Sequence, residues 1–542
     1  MQGGLPYGLQ SMLKEGHKHF AGVDEAVIRN IEACKNMAQI TRTSLGPNGM
    51  NKMVINHLER LFVTSDASTI VTELEVNHPA ARLLVHAAKA QEAEIGDGTN
   101  LVLTLGGELL GHAEGLLREG LLTSEIADGY SKAAAKALEL LETMVLPGST
   151  ELNMRSKDEV ARRLKGAISS KINGYEDLLS GMVAESCIDV LPKNPVNFNV
   201  DNVRVVKIPG GGLPDSKVIK GMVLRRDTEG TVKNLDDAKV VVFTQGVDTS
   251  STDTKGTVLI KSAEELENYA KTEENKLEEY IKGIADMGVK LVISGSSVGE
   301  MAMHFLEKYG LMVVRVPSKF ELLRLCKATG ATARANFGSP SVDELGFAKS
   351  ISVQEIGGTM CTVLRQDAAL GNISTIVLRG STEGFLDDVE RAVNNGVNAF
   401  KGLTRDTRCV PGGGATEIEL ARQLAEWCKK QTGLEQYAIS KFAEAFEVVP
   451  RTLSENSGLN AHDVISALYA AHAQGQTHVG VDIESGQPRD LTKEDITDLY
   501  TTKWWALKLA TDAAITILRV DQIIMSKQAG GPKPRGPNGD DE

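Results

Sequence analysis

Aromatic residues and prolines are scarce in this chain of 542 residues: aromatics make up 4%, and 16 prolines stand against 53 glycines. Scarce proline permits long helices, and abundant glycine permits tight turns that approach a ligand closely. No stretch of about 18 apolar residues is present, so the sequence offers no transmembrane helix. The first residues also lack the charged and then apolar pattern of a signal peptide. We therefore expect a cytoplasmic protein with no membrane partner.

Paired cysteines and long basic runs are also missing. Six cysteines are scattered without CxxC spacing, which indicates reduced thiols rather than a metal or disulfide framework. The net charge is −13 with no basic run to offset it, so the chain is not expected to bind nucleic acid. A chain of this length exceeds one hydrophobic core, and two to four domains are expected.

Helical periodicity dominates both ends of the chain, whereas the middle alternates strands with helices. Strand candidates at 239–244, 289–293 and 311–316 predict a compact α/β domain there. Long helices return after Arg405. One discontinuous helical domain interrupted by inserted domains is the economical interpretation. Separate helical domains at the two ends are the alternative, and periodicity leaves both open.

Three glycine-rich loops lie at predicted helix ends, at 43–50, 96–100 and 411–414. A helix N-terminus presents backbone N–H groups to an anion, and glycine lets the anion come close. Asp97 in the second loop could ligate Mg²⁺, which takes one or two carboxylates and fills its shell with phosphate oxygens and water. None of the loops is a P-loop, and each loop taken alone is better explained as a helix cap, a hinge or a simple turn.

Hydrolysis of a phosphate compound bound at such loops would also need a carboxylate that orients or deprotonates the attacking water. Asp66, in the run VTSDAST after a predicted strand, is a candidate for this task. A turn-forming aspartate is the alternative interpretation.

The runs LGPNGMNKM, TSDASTI, GDGTN, PGGGATEIEL and GVDIESG occur in this order, and together they resemble the nucleotide-site motifs of the TCP-1/CCT (TRiC) group II chaperonins. The likeness extends over essentially the whole chain. It implies a multidomain α and α/β subunit with a helical equatorial ATP-binding domain, an α/β intermediate hinge domain, and an α/β apical substrate-binding domain. These would comprise 1–145 with 405–542, 146–218 with 371–404, and 219–370, with a lid protrusion at about 250–285 and a disordered tail at 529–542.

The resemblance also implies roles for individual residues. Asp97 would ligate Mg²⁺, Lys171 would sense the terminal phosphate, and Asp482 would contact the ribose. The nucleotide-binding residues that it implies are Leu45, Gly46, Gly98, Thr99, Asn100, Leu101, Ser170, Lys171, Gly412, Gly413 and Asp482.

The two positions that match the family's catalytic aspartates differ in what they retain. Asp66 keeps the first carboxylate, although the neighbouring Asn and Gly of the family's turn are absent. Asn395 occupies the second position, in the run ERAVNNG. An amide can orient water but cannot accept its proton, so we expect ATP binding with slow hydrolysis. Asn394 or Asp388 reaching the site would weaken this expectation.

The function implied by the resemblance is that of a subunit of the cytosolic hetero-oligomeric double-ring chaperonin. Such a ring binds unfolded proteins and folds them in a chamber that ATP closes. The expected partners are paralogous subunits, actin and tubulin as clients, and a prefoldin-type co-chaperone. A structural subunit that binds ATP but hydrolyses it poorly is the alternative. The segment 319–330 is the candidate client surface, unless all of its apolar residues face the core.

Overall fold

The computed structural model describes residues 23–247, 262–335, 337–366 and 372–524. Within them, helical segments at both ends of the chain flank a middle part that holds a large mixed sheet. This arrangement confirms the predicted combination of α and α/β parts. The predicted tail at 529–542 and the first part of the predicted protrusion lie outside the described residues.

The N-terminal part is mainly helical. It begins with a long helix, continues with an antiparallel hairpin that pairs Lys52 with Thr64, and then adds four helices. Its elements are α1 (Val23–Arg42), β1 (Lys52–Ile55), β2 (Leu61–Thr64), α2 (Ala67–Glu73), α3 (Pro79–Glu94), α4 (Thr99–Arg118) and α5 (Thr123–Thr143).

The middle of the chain holds the sheet. Among the described residues nine strands belong to it: eight are ordered β3-β11-β4-β10-β9-β5-β6-β7, and β8 pairs with β5. The elements in chain order are α6 (Lys157–Ser169), α7 (Glu176–Asp189), β3 (Val203–Pro209), β4 (Lys217–Leu224), β5 (Asn234–Phe243), α8 (Ala263–Asp286), β6 (Val289–Ser294), α9 (Glu300–Lys308), β7 (Met312–Arg315), α10 (Lys319–Thr329), β8 (Ala333–Arg334), β9 (Gly346–Ile356), β10 (Thr359–Arg365), β11 (Ser374–Gly380) and α11 (Glu383–Arg405).

The C-terminal part is helical again, with short strand pairs that close its loops. It consists of β12 (Cys409–Pro411), α12 (Ala415–Cys428), α13 (Glu435–Ala445), α14 (Val448–Asn456), α15 (Ala461–Ala473), β13 (Val479–Val481), β14 (Pro488–Asp490), β15 (Thr497–Leu499) and α16 (Tyr500–Leu518).

One hydrophobic core joins the two ends of the chain. Its buried residues come from 27–144 and from 410–518, so helices α1, α3, α4 and α5 share it with α12, α13 and α16. Tyr130 on α5 and Phe442 on α13 meet edge to face with ring centroids 5.5 Å apart, and the Tyr130 hydroxyl donates to the carbonyl of Leu109. The helical ends therefore fold as one body.

Several further groups of buried residues lie outside this helical core. A second core packs α6 and α7 against α11 and strands β3 and β11. Two more groups cover the two faces of the sheet built from β4 to β10. The six cysteines are free thiols, five of them buried and Cys326 half-buried.

Truncating Phe442 tests whether the two ends share one core. We expect Phe442→Ala to lower the free energy of unfolding by about 3 to 5 kcal/mol, because it leaves a cavity between α5 and α13. Urea unfolding followed by circular dichroism measures this. Tyr437→Ala on the same helix is the matched control, since Tyr437 is 57% exposed and should change little. Equal effects of the two substitutions would contradict a shared core.

Candidate functional site

A cavity of about 440 Å³ lies where the two ends of the chain meet the α6 region, and we call it the helix-end cavity. Its lining includes residues from the loop after α1, the loop before α4, the end of α6, and the loops around α12 and β13. Of the residues predicted to bind nucleotide or metal, it brings together Leu45, Gly46, Asp97, Gly98, Thr99, Asn100, Leu101, Ser170, Lys171, Gly413 and Asp482.

Helix α4 opens directly onto this cavity. Its N-cap is Gly98 with φ +80°, and no side chain caps the first turn. A Cβ at Gly98 would lie 2.8 Å from Cγ2 of Thr502, so the close packing and the left-handed backbone both require glycine. The uncapped N–H groups and the positive helix end can accept an anion.

Helix α12 opens onto the same cavity in the same way. Its N-cap is Gly414 with φ +81° and no side-chain cap. At Gly413 the backbone is also left-handed, and a Cβ there would lie 2.2 Å from Leu491 Cδ1. The Gly413 carbonyl accepts from the N–H of Val481, which places Asp482 beside the loop. The start of α12 therefore offers a second set of uncapped N–H groups to the same cavity.

Gly412 and Asn100, two of the predicted nucleotide-binding residues, make hydrogen bonds within the protein. The N–H of Gly412 donates to the carbonyl of Ile496, and the residue packs against Ile496 outside the lining of the cavity. Asn100 lines the cavity, but its amide nitrogen donates to the Thr41 carbonyl 3.1 Å away and its oxygen accepts from Thr104. The Asn100 side chain therefore ties α4 to the end of α1.

Asp97 is suited to be the single protein carboxylate that coordinates Mg²⁺. Burial raises the pKa of its carboxyl group, which the charge of Lys171 and the Gly98 N–H only partly oppose. Gln91 donates to the Asp97 carbonyl at 2.8 Å and fixes the turn. In the described part of the chain no group of three or more acidic, His or Cys side chains could enclose a cation. One desolvated carboxylate suits Mg²⁺ whose other ligands are phosphate and water.

Asp66 and Lys171 form an ion pair across two parts of the chain. Lys171 Nζ lies 2.7 Å from Asp66 Oδ1, and both side chains are buried. Asp66 also caps α2 by accepting from the N–H and hydroxyl of Thr69. Burial would raise the pKa of Asp66, but the Lys171 charge and these hydrogen bonds outweigh it and lower the pKa to about 2. Asp66 is therefore ionised at neutral pH.

Asn395 lies on α11 and faces the turn that carries Asp97. Its side chain is buried, and the amide nitrogen is 3.1 Å from the Gly96 carbonyl when the amide is oriented to donate. Of its alternatives, Asn394 is exposed, and Asp388 accepts from Arg391 at 2.8 Å. None of these three side chains lines the helix-end cavity.

Several charged groups near the cavity are not suggested by any sequence motif. Lys503 contacts Glu417 and lies 2.9 Å from Asp498, and both Lys503 and Asp498 line the cavity. Burial raises the pKa of Glu92 to about 7, helped by the nearby negative charges of Asp66 and Asp97. Glu417 and Lys503 are 86 positions apart, so no local spacing could have linked them.

A buried cluster fixes β13, the strand that leads to Asp482. The Nδ1 atom of His472 lies 2.8 Å from Glu419, and its Nε2 atom lies 2.8 Å from the carbonyl of Val479. Although burial opposes ionisation, hydrogen bonds from His472 and Arg422 lower the pKa of Glu419 to about 2. The cluster joins α12, α15 and β13 behind the cavity wall.

The Asp66–Lys171 pair predicts a specific pH dependence. Because the folded-state pKa of Asp66 lies below its ordinary value of 3.8, its stabilisation is present above that value and is lost as pH falls toward about 2. Between pH 6 and 3 we expect the free energy of unfolding to fall by roughly 1 kcal/mol more in the parent than in Asp66→Asn. Urea unfolding at each pH measures this, and parallel pH profiles would contradict the pair.

Comparison with known proteins identifies the family of this chain. The TCP-1/cpn60 chaperonin family matches residues 37–528. The T-complex protein 1 subunit theta of Arabidopsis thaliana is 58% identical over 97% of this chain and 96% of its own length. The theta subunits of Dictyostelium discoideum and Homo sapiens are each 54% identical, covering 97% of this chain and 98% and 96% of their own.

These relatives confirm the chaperonin resemblance, including the closer likeness to theta subunits that runs such as KGTVLIKSAEEL and GLEQYAISKFAEAFE indicate. Among the described residues no helix is long and apolar enough to span a membrane. The chain belongs to the TCP-1/cpn60 chaperonin family.

Proposed function

We propose that this chain is a subunit of a cytosolic hetero-oligomeric double-ring chaperonin that binds Mg²⁺-ATP and uses it to close a folding chamber. The observation that carries the proposal is the pair of uncapped helix N-termini, at Gly98 and Gly414, that open onto one cavity beside the single carboxylate of Asp97. A chain of phosphates needs this combination of N–H donors and a metal ligand.

Each of the three domains that we propose would have its own part of the buried core. The helical core would be the equatorial domain, the core around α11 the hinge, and the two-sided sheet the apical domain. Lys171 and Ser170 reach the cavity from the hinge, so hinge movement changes how the phosphates are enclosed. Bound Mg²⁺ would neutralise phosphate charge there, with Asp97 as its protein ligand.

Hydrolysis would depend on Asp66, which remains ionised and could orient the attacking water once Lys171 turns to the phosphate. The buried amide of Asn395 cannot take the proton. This observation favours the second candidate function, a subunit that binds ATP, hydrolyses it slowly, and contributes mainly to ring structure.

The hairpin β1–β2 is our proposed contact with a paralogous subunit. Met53, Ile55 and Leu61 are 68%, 66% and 57% exposed, a concentration of apolar side chains that a free surface rarely carries. In the described residues the two strands pair only with each other, so each has an outer edge available to another chain. A neighbouring subunit that adds strands would cover both features.

Helix α10 is our proposed client contact, in the apical part. Leu322 and Leu325 are buried in the core, whereas Phe320 and Leu323 are 74% and 56% exposed. Only some of the apolar residues in 319–330 therefore face the core. An exposed apolar pair on a helix that also carries basic side chains fits unfolded protein, with actin and tubulin as expected clients and a prefoldin-type co-chaperone delivering them.

Removing the Asp97 carboxylate tests the metal site. We expect Asp97→Asn to weaken the apparent Mg²⁺ affinity of ATP binding by at least about 10- to 100-fold, since an amide is a weak ligand for a hard cation. Magnesium titrations of nucleotide binding by the purified full chain measure this. Glu94→Gln is the control, an exposed position three residues earlier. Unchanged magnesium dependence in Asp97→Asn would refute the assignment.

Restoring a carboxylate at position 395 tests the hydrolysis hypothesis. We expect Asn395→Asp to raise single-turnover ATP hydrolysis by on the order of 100-fold, the usual contribution of a general base. Asn394→Asp introduces the same charge at the adjacent exposed position and should leave the rate unchanged. A rate unaffected by Asn395→Asp would sink the idea that the amide limits hydrolysis.

A further inference from the structure

The side chain of Asn395 connects two separate cores of the molecule. It projects from α11, which belongs to the second core, toward the carbonyl of Gly96, which precedes Asp97 in the helical core. The amide nitrogen is 3.1 Å from that carbonyl and 3.3 Å from the carbonyl of Arg391 on its own helix. Both neighbours are acceptors, so the NH₂ group must face them.

The surrounding contacts make this a precise junction. A Cβ at Gly96 would lie 2.3 Å from Asn398, so α11 rests directly on the backbone of the turn. On its other side α11 packs against α6 at Gly396, where a Cβ would lie 3.0 Å from Ile168. The Asp66–Lys171 ion pair joins the same two bodies. All of these contacts join protein atoms, so none of them needs a phosphate as its partner.

The chemistry of position 395 decides whether this junction can form. An amide donates two hydrogen bonds, whereas an ionised carboxylate only accepts. A carboxylate buried at 3.1 Å from the Gly96 carbonyl would place two acceptors face to face and leave both without a partner. The amide therefore favours docking where a carboxylate opposes it.

We propose that Asn395 is a positioning residue that fastens the hinge helix α11 to the turn carrying Asp97 independently of the terminal phosphate of a nucleotide. Docking then encloses the cavity from the side of Ser170 and Lys171 and slows release of whatever nucleotide it holds. The inference goes beyond the proposed function, because it concerns the resting position of the hinge and not hydrolysis.

The experiment measures the hinge in the full chain without nucleotide. Spin labels on cysteines introduced at the exposed residues Glu94 and Lys193, one in each body, report the docked and open populations by pulsed electron paramagnetic resonance. We expect Asn395→Asp to lower the docked-to-open ratio about tenfold. Asn395→Leu, similar in size but without a donor, should lower it as well.

Asn394→Asp is the matched control, because it adds the same charge one residue away at an exposed position and should leave the ratio unchanged. Unaltered populations in Asn395→Asp and Asn395→Leu, or equal losses in Asn394→Asp, would overturn the proposal. Titrating the unsubstituted chain with Mg²⁺ and a non-hydrolysable ATP analogue separates the two claims. Binding of the analogue supports the proposed function, whereas failure to bind counts against it and leaves the inference about Asn395, which is measured without nucleotide, intact.

Discussion

Two helices begin at one cavity, and neither N-terminus has a side-chain cap. The rest of the candidate site is arranged around the partial positive charge of these two N-termini. Gly98 and Gly414 begin α4 and α12 in left-handed conformations that no side chain caps. Unpaired N–H groups at a helix start need an acceptor, and a polyphosphate supplies several. The shared helical core brings these two helix starts together, and Ser170 and Lys171, at the end of α6, line the same cavity.

Much of this arrangement could be predicted, because the determinants are local. Glycines at helix boundaries and an acidic residue within a turn permit an anion site, and the occurrence of several such loops together indicates one. The sequence order of the loops then placed Asp97, Gly413 and Asp482 in one family pattern, and the fold class and family are confirmed. Periodicity identifies the buried face of each helix but not the helix that packs against it. The shared core was therefore needed to favour one discontinuous helical body over two separate ones.

The remainder depends on side-chain partners that sequence does not reveal. Asn100 has a side-chain amide that could bind phosphate, yet this amide donates a hydrogen bond to the carbonyl of Thr41, 59 residues away. Although burial opposes it, the nearby carboxylates Asp498 and Glu417 raise the pKa of Lys503. The pKa of Glu92 is raised by burial and by charges from other segments of the chain. The role of Asn395 likewise follows from the carbonyl opposite to it, which a motif comparison can only record as a missing carboxylate.

The side-chain amide of Gln91 donates a hydrogen bond to the carbonyl of Thr502, 411 positions later in the sequence. This separation has a consequence for biosynthesis. A ribosome makes α1, α3 and α4 early, but their apolar partners on α16 emerge only near the end of translation. Throughout that interval the growing chain carries an open apolar face and only part of the cavity lining. A member of a chaperonin family is thus itself exposed to aggregation until α16 has been made.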